Sequence, residues 1–158
     1  MKKTARTAGA LAVAALLALS ATACGSDDTP SSAASKAKDA VASATAKAGE
    51  AVASATAAAS SKMAEIKDGA DAKGDVKAGD TKTDGDRSTV ELTATNSTDK
   101  TADYTVTVNF KDKGGNLLDV TVMNIDGVEA GKSKSGTARS NRDLGGDATA
   151  EVGQALRH

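Results

Sequence analysis

Strict alternation of apolar and polar side chains runs through Tyr104-Thr105-Val106-Thr107-Val108-Asn109-Phe110, the segment that decides the fold. A period of two is typical of a β-strand with one buried face. We therefore expect Tyr104 and Phe110 to face a core, and Thr105 and Thr107 to point outward. These two aromatic residues are the only ones in the chain, which has no Trp. So little bulk limits the chain to one small domain.

Similar alternation recurs on both sides of this segment. Apolar residues occupy every second position at Val90 to Ala94, Leu118 to Val122 and Ala148 to Val152, with Met123 and Ile125 out of phase. Thr93 belongs to the polar, outward set. Turn residues separate the runs at Asp84-Gly85, 96–100, 114–116, Asp126-Gly127 and Gly145-Gly146. The pattern predicts a mainly β chain, with an antiparallel sandwich of six or seven strands at 74–158.

This domain resembles the FxLYD-type immunoglobulin-like domains of bacterial envelope lipoproteins. The resemblance rests on Thr95-Asn96-Ser97-Thr98, on the segment from Tyr104 to Phe110, on 110–118, and on Val128-Glu129-Ala130-Gly131-Lys132. It implies an immunoglobulin-like fold and a binding or spacing module, and it brings no catalytic residues with it.

Residues 35–73 have the composition of an alanine-rich helix. An 11-residue repeat runs from Asp39 to Gly49 and again from Glu50 to Ser60, and it aligns Val41, Val52 and Met63 on one stripe. We expect the helix to end near Asp68-Gly69. Three interpretations stay open: a solvated helical spacer, a self-associating helix, and a stress-protective or membrane-surface helix.

The first 23 residues have the pattern of a signal peptide. Lys2, Lys3 and Arg6 precede an apolar run from Ala8 to Leu19 and a small-residue exit. The apolar run is shorter than the ~20 residues of a membrane span.

Ala21-Thr22-Ala23-Cys24-Gly25 resembles the bacterial lipobox. The resemblance implies lipid attachment to Cys24 and cleavage before it, and so a protein anchored on the outer face of the cell membrane. Ordinary secretion with cleavage after Ala23 is the alternative. Cys24 is the only cysteine, and an unpaired thiol is unusual in a secreted protein, which favours lipidation. We expect residues 24–34 to form a lipidated flexible tether.

The charge balance argues against nucleic acid as a partner. Three of the 20 basic residues lie in the leader, whereas all 21 acidic residues follow it. The processed chain is therefore acidic, while nucleic-acid binding usually needs a basic surface.

Residues 80–91 come close to a calcium-binding EF-hand loop. Asp80, Asp84, Gly85 and Glu91 occupy the expected positions. Lys82, however, stands at a position that needs a ligand, and an ammonium cannot bind calcium. We therefore expect an Asp-Gly hairpin joining strands at 74–83 and 87–96.

The C-terminal region contains a single histidine and a small group of cationic and polar residues. His158 is the only histidine and the last residue, and we expect it to be a frayed tail residue. Arg139 and the segment from Asn141 to Leu144 form a small cationic cluster, which we expect to be a solvated loop unless it meets anionic cell-wall polymer.

These patterns contain no catalytic, metal-binding or cofactor-binding set. The sequence predicts a non-enzymatic binding or structural lipoprotein of the cell envelope. Its predicted partners are the membrane, through lipid on Cys24, and cell wall or another envelope protein.

Overall fold

The structure is a computed structural model and describes residues 31–158. One long helix, α1 (Ser31–Ala64), precedes seven strands. The strands are β1 (Ala70–Asp71), β2 (Val76–Asp84), β3 (Arg87–Thr95), β4 (Ala102–Lys111), β5 (Leu117–Val128), β6 (Ser133–Arg139) and β7 (Thr149–Arg157), with a 3-10 turn at Lys73–Asp75 before β2.

The strands form two antiparallel sheets. One has the order β1-β7-β4-β5 and the other β2-β3-β6. The mainly β, antiparallel prediction is confirmed, and the number of strands among the described residues lies within the predicted range. β1 starts four residues before the predicted domain boundary, because Ala70 and Asp71 pair with Arg157 and Leu156 of β7.

The core lies between the two sheets. Tyr104, Val106, Val108 and Phe110 of β4 have no solvent exposure, and they meet buried side chains from the opposite sheet. Those partners are Val90, Leu92 and Ala94 of β3 and Ala138 of β6. The prediction that the two aromatic residues supply the bulk of the core is confirmed.

The sheet β1-β7-β4-β5, here called the β4 sheet, is also covered on the face that points away from the core. α1 packs chiefly on β5 through its C-terminal turns, where Ala59 and Met63 are buried. This contact explains why apolar residues on β5 appear out of phase. Ile125 faces the core between the sheets, whereas Val120 faces α1.

The prediction that Thr105 and Thr107 point into solvent is wrong, since they are only 3% and 7% exposed. Thr107 lies under α1 beside Ala59 and Met63. Thr105 forms a hydrogen bond between its Oγ1 and Nε2 of His158, 3.1 Å away.

The helix also ends earlier than the sequence indicates. α1 stops at Ala64, and the chain turns through Asp68, whose φ is 60°. Gly69 is needed for close approach, because a Cβ there would lie 2.9 Å from Cγ2 of Ile66 and 3.2 Å from Cβ of Leu156. At its other end α1 begins at Ser31, within the segment assigned to the tether.

Candidate functional site

The candidate site is the surface where α1 crosses the β4 sheet. Two grooves flank the helix there. Ala59 of α1 and Val120 of β5 line both grooves, so the helix touches the sheet between them.

The larger groove, of about 360 Å³, follows β5. Its sheet side consists of the five consecutive residues from Val120 to Asn124, and Asn141 also lines it. Its helix side consists of Ala55, Ala58, Ala59 and Lys62. The smaller groove, of about 260 Å³, is lined on its sheet side by Thr107 and Asn109 of β4, Leu117 and Val120 of β5, and Gly153 and Gln154 of β7.

A bulge in β7 shapes the smaller groove. The pairing of β4 with β7 shifts register between Val106 and Val108, where Gly153 and Gln154 lie. A Cβ on Gly153 would come within 2.7 Å of Thr107 Oγ1 and 2.9 Å of Asn109 Oδ1. Only glycine therefore fits this position without displacing its neighbours.

The near-match to a calcium loop lies on an exposed hairpin. β2 and β3 are joined by Gly85, with φ of 64°, and Asp86, as a two-residue turn. This confirms the predicted hairpin. Asp84 is paired with Arg139, with Oδ2 and Nη1 2.9 Å apart. Among the described residues, no group of three or more His, Cys, Asp or Glu side chains is placed to hold a metal ion.

His158 is not a frayed residue, so that expectation is wrong. Its backbone N–H donates to Asp103 O at 3.0 Å and its C=O accepts from Asp103 N at 2.9 Å. The side-chain bond to Thr105 adds a third attachment. The last residue is thus fixed to the start of β4.

The cationic cluster is exposed at Arg139, Asn141 and Asp143, as expected of a solvated loop, but Asn141 and Arg142 also bind the edge of β5. Asn141 donates from its backbone N to Asp119 Oδ2 at 2.6 Å and from Nδ2 to Val120 O at 2.9 Å. Arg142 donates to Leu118 O. Asp119 is 2% exposed, so the loop donates hydrogen bonds to a buried carboxylate. It also donates to backbone carbonyls on the side of β5 that is not paired with β4.

Asn96 is a structural centre that the sequence shows only as a turn residue. It has no solvent exposure. Nδ2 donates to Lys100 O at 2.7 Å and to Val128 O at 2.8 Å, while Oδ1 accepts from the N and Oγ1 of Thr98. Gly131 N donates to its backbone O. Asn96 therefore joins the turn after β3 to the end of β5.

Two carboxyl groups have lowered pKa values. Hydrogen bonds from Asn116, with smaller contributions from the N–H groups of Gly114 and Gly115, lower the pKa of Asp112, which organises the β4–β5 turn. The hydrogen bond and charge of Lys111 lower the pKa of Glu151. Glu151 is exposed and Asp112 is half-buried, and neither adjoins a second acid or a nucleophile in a way that indicates catalysis.

Comparisons of the chain with protein-family models, with curated proteins and with solved structures found no match. No helix within residues 31–158 has the length and apolar character needed to cross a membrane. Cys24, the signal peptide at 1–23 and residues 24–30 of the predicted tether lie outside the described residues.

Proposed function

We propose that this protein is a lipid-anchored, non-enzymatic module of the cell envelope, held on the outer face of the membrane by Cys24. The sandwich is proposed to be immunoglobulin-like, of the FxLYD type. The buried Asn96 supports that assignment, because it gives the motif Thr95-Asn96-Ser97-Thr98 a specific structural role. Cell wall or another envelope protein is the proposed partner.

The observation that carries the proposal is the asymmetric packing of α1. Residues 38–51 are exposed, whereas Ala59 and Met63 are buried on the β4 sheet. A helix that is packed through its C-terminal turns and exposed over residues 38–51 can act as a stalk. With Cys24 only seven residues before α1, the stalk would set the distance between the membrane and the sandwich.

The anchor is tested by replacing Cys24 with Ser in the native bacterium. Wild-type protein should take up labelled palmitate and sediment with membranes, whereas Cys24→Ser should lose both properties and appear in the medium. Gly25→Ala, which keeps the cysteine, is the matched control. Membrane association that survives Cys24→Ser would refute the lipid anchor.

The stalk is tested by changing its length in steps of one repeat. Deleting or duplicating residues 39–49 should move the sandwich by about 16 Å relative to a supported bilayer, at 1.5 Å per residue. Neutron reflectometry measures this displacement. The deleted repeat lies outside the buried contact, so the thermal stability of the domain should not change. An unchanged height would instead support a helix lying on the membrane.

A further inference from the structure

We propose that the free edge of β5, at Val122 to Asn124, binds an extended peptide segment of another protein as an added β-strand. β5 is the last strand of its sheet, so only one of its sides is paired, with β4. The opposite side, the β5 edge, is a template for strand addition wherever its backbone groups are free.

Most of the β5 edge is already capped by side chains. Leu118 O accepts from Arg142, and Val120 O accepts from Asn141 Nδ2 at 2.9 Å. Val120 N donates to Asp119 Oδ1 at 2.9 Å. Towards the other end, Asp126 O accepts from Lys134 Nζ at 2.6 Å. These caps are the usual protection of an edge strand against pairing with another chain.

The protection stops at Val122 and Asn124. In an antiparallel strand the N–H and C=O of one residue point to the same side, and successive residues alternate. Because the C=O of Val120 points to the β5 edge, the backbone groups of Val122 and Asn124 do so as well. Within the described chain, neither residue has a backbone hydrogen bond outside the strand ladder.

The larger groove opens at this same place. Five consecutive residues of β5 line it. Only alternate residues would line a groove on the face of a strand, so a consecutive set indicates a groove along its edge. The opposite wall is lined by Ala55 and Ala58, which are small, and by Lys62, which is cationic. Residues of an added strand that face α1 should therefore be small or acidic.

Two other occupants fit the geometry poorly. The helix rises about 36 Å between Ser31 and Ala55, whereas residues 24–30 reach at most ~25 Å, so the chain's own tether cannot fill its groove. A second copy paired at the β5 edge would place two β5 strands ~4.8 Å apart. The helices that pack on them are ~10 Å wide and would collide.

The test selects a phage-displayed library of linear nine-residue peptides on the purified full-length chain in detergent. A selected peptide is then titrated calorimetrically against two variants. Asn124→Pro removes the edge N–H but leaves the ladder to β4 intact, whereas Asn124→Ala removes only the side chain. We expect Asn124→Ala to bind like wild type and Asn124→Pro to bind at least tenfold more weakly. N-methylation along the peptide should abolish binding at alternate positions only.

Equal binding by the two variants, N-methylation effects without alternation, or failure to select any peptide would overturn the proposal. So would a wild-type dimer in sedimentation that Asn124→Pro dissociates, since the occupant would then be a second copy. Unchanged thermal unfolding of Asn124→Pro verifies that the variant is folded. The inference rests on the free backbone groups of the β5 edge, and only the exclusion of the chain's own N-terminal segment rests on the proposed cleavage before Cys24.

Discussion

The hydroxyl group of Thr107 takes the place of a strand partner for Gln154. Its Oγ1 accepts a hydrogen bond from Gln154 N at 2.7 Å and donates to Gln154 O at 3.3 Å. The bulge in β7 removes the regular ladder at this point. A side chain of β4 thus satisfies backbone groups that the bulge leaves without ladder partners.

Thr107→Val should destabilise the domain by about 1–3 kcal/mol, because it leaves the N–H of Gln154 without an acceptor beneath α1. Thr107→Ser keeps the hydroxyl and is the matched control, with a smaller loss. Urea unfolding measures both. Equal stability of the two variants would show that the hydroxyl does not support the bulge.

Phe110→Ala should lower the free energy of unfolding by about 3–5 kcal/mol, since a fully buried ring is replaced by a cavity. Thermal and urea unfolding report this loss. Val41→Ala is a control on another apolar residue, because Val41 is 67% exposed and its truncation removes no packing. A small effect of Phe110→Ala would contradict its placement in the core.

Asn96→Ala should cost at least about 2 kcal/mol, because it leaves the buried carbonyl of Val128 without its donor and removes one of the two donors to Lys100 O. Asn116→Ala is the comparison, since Asn116 is exposed and bonds within its own turn. We expect Asn116→Ala to change the unfolding free energy by less than half as much. Similar losses would contradict the central role of Asn96.

Met63→Lys should release α1 from the β4 sheet, because it places an ammonium group in a position that is 6% exposed. Hydrogen exchange should then accelerate at residues 52–64 while the strands of the opposite sheet stay protected. Lys38→Met, a change on the exposed part of the helix, should alter neither. Unchanged protection of α1 in Met63→Lys would show that its packing does not hold the helix.

Lys111→Met should raise the pKa of Glu151 towards its ordinary value of 4.5, because the ammonium lies 2.5 Å from the carboxylate. A lowered pKa contributes stability above the unfolded-state pKa, and this is lost as the pH falls through the folded-state pKa. The pair is exposed, so the stability effect should stay within ~1 kcal/mol. NMR titration of the side-chain carboxyl measures the pKa. Lys113→Met, which removes a cation paired with Asp147 instead, should leave Glu151 unchanged.

The strands are predictable because period-two alternation reports burial directly. Val106, Val108 and their flanking aromatic residues lie where the alternation puts them, and Asp84-Gly85 predicts its turn. Thr105 and Thr107 could not be placed in the same way. A threonine side chain is tolerated both in solvent and beneath a covering helix. Whether it is buried therefore depends on a contact between distant segments, which residue type does not reveal.

The groove at the β5 edge is even harder to predict from the sequence. Two sequence features are consistent with a helix that covers β5. They are the stripe through Val41, Val52 and Met63 and the out-of-phase residues Met123 and Ile125. An alanine-rich stripe carries little apolar area, however, and does not say where it packs. The capping of β5 by Asn141 and Arg142 depends on backbone geometry, and residue type alone does not reveal it.

The covered face of the β4 sheet also orders the events of folding. Ala59 is synthesised roughly sixty residues before Val120, and such a long separation delays contact formation. Until β5 has been synthesised, the side of the helix that will contact it is exposed to solvent. A stripe of alanine with few larger residues exposes little apolar surface during that interval. The weak hydrophobicity that makes the helix look like a plain spacer is therefore what lets it stay soluble until β5 is in place.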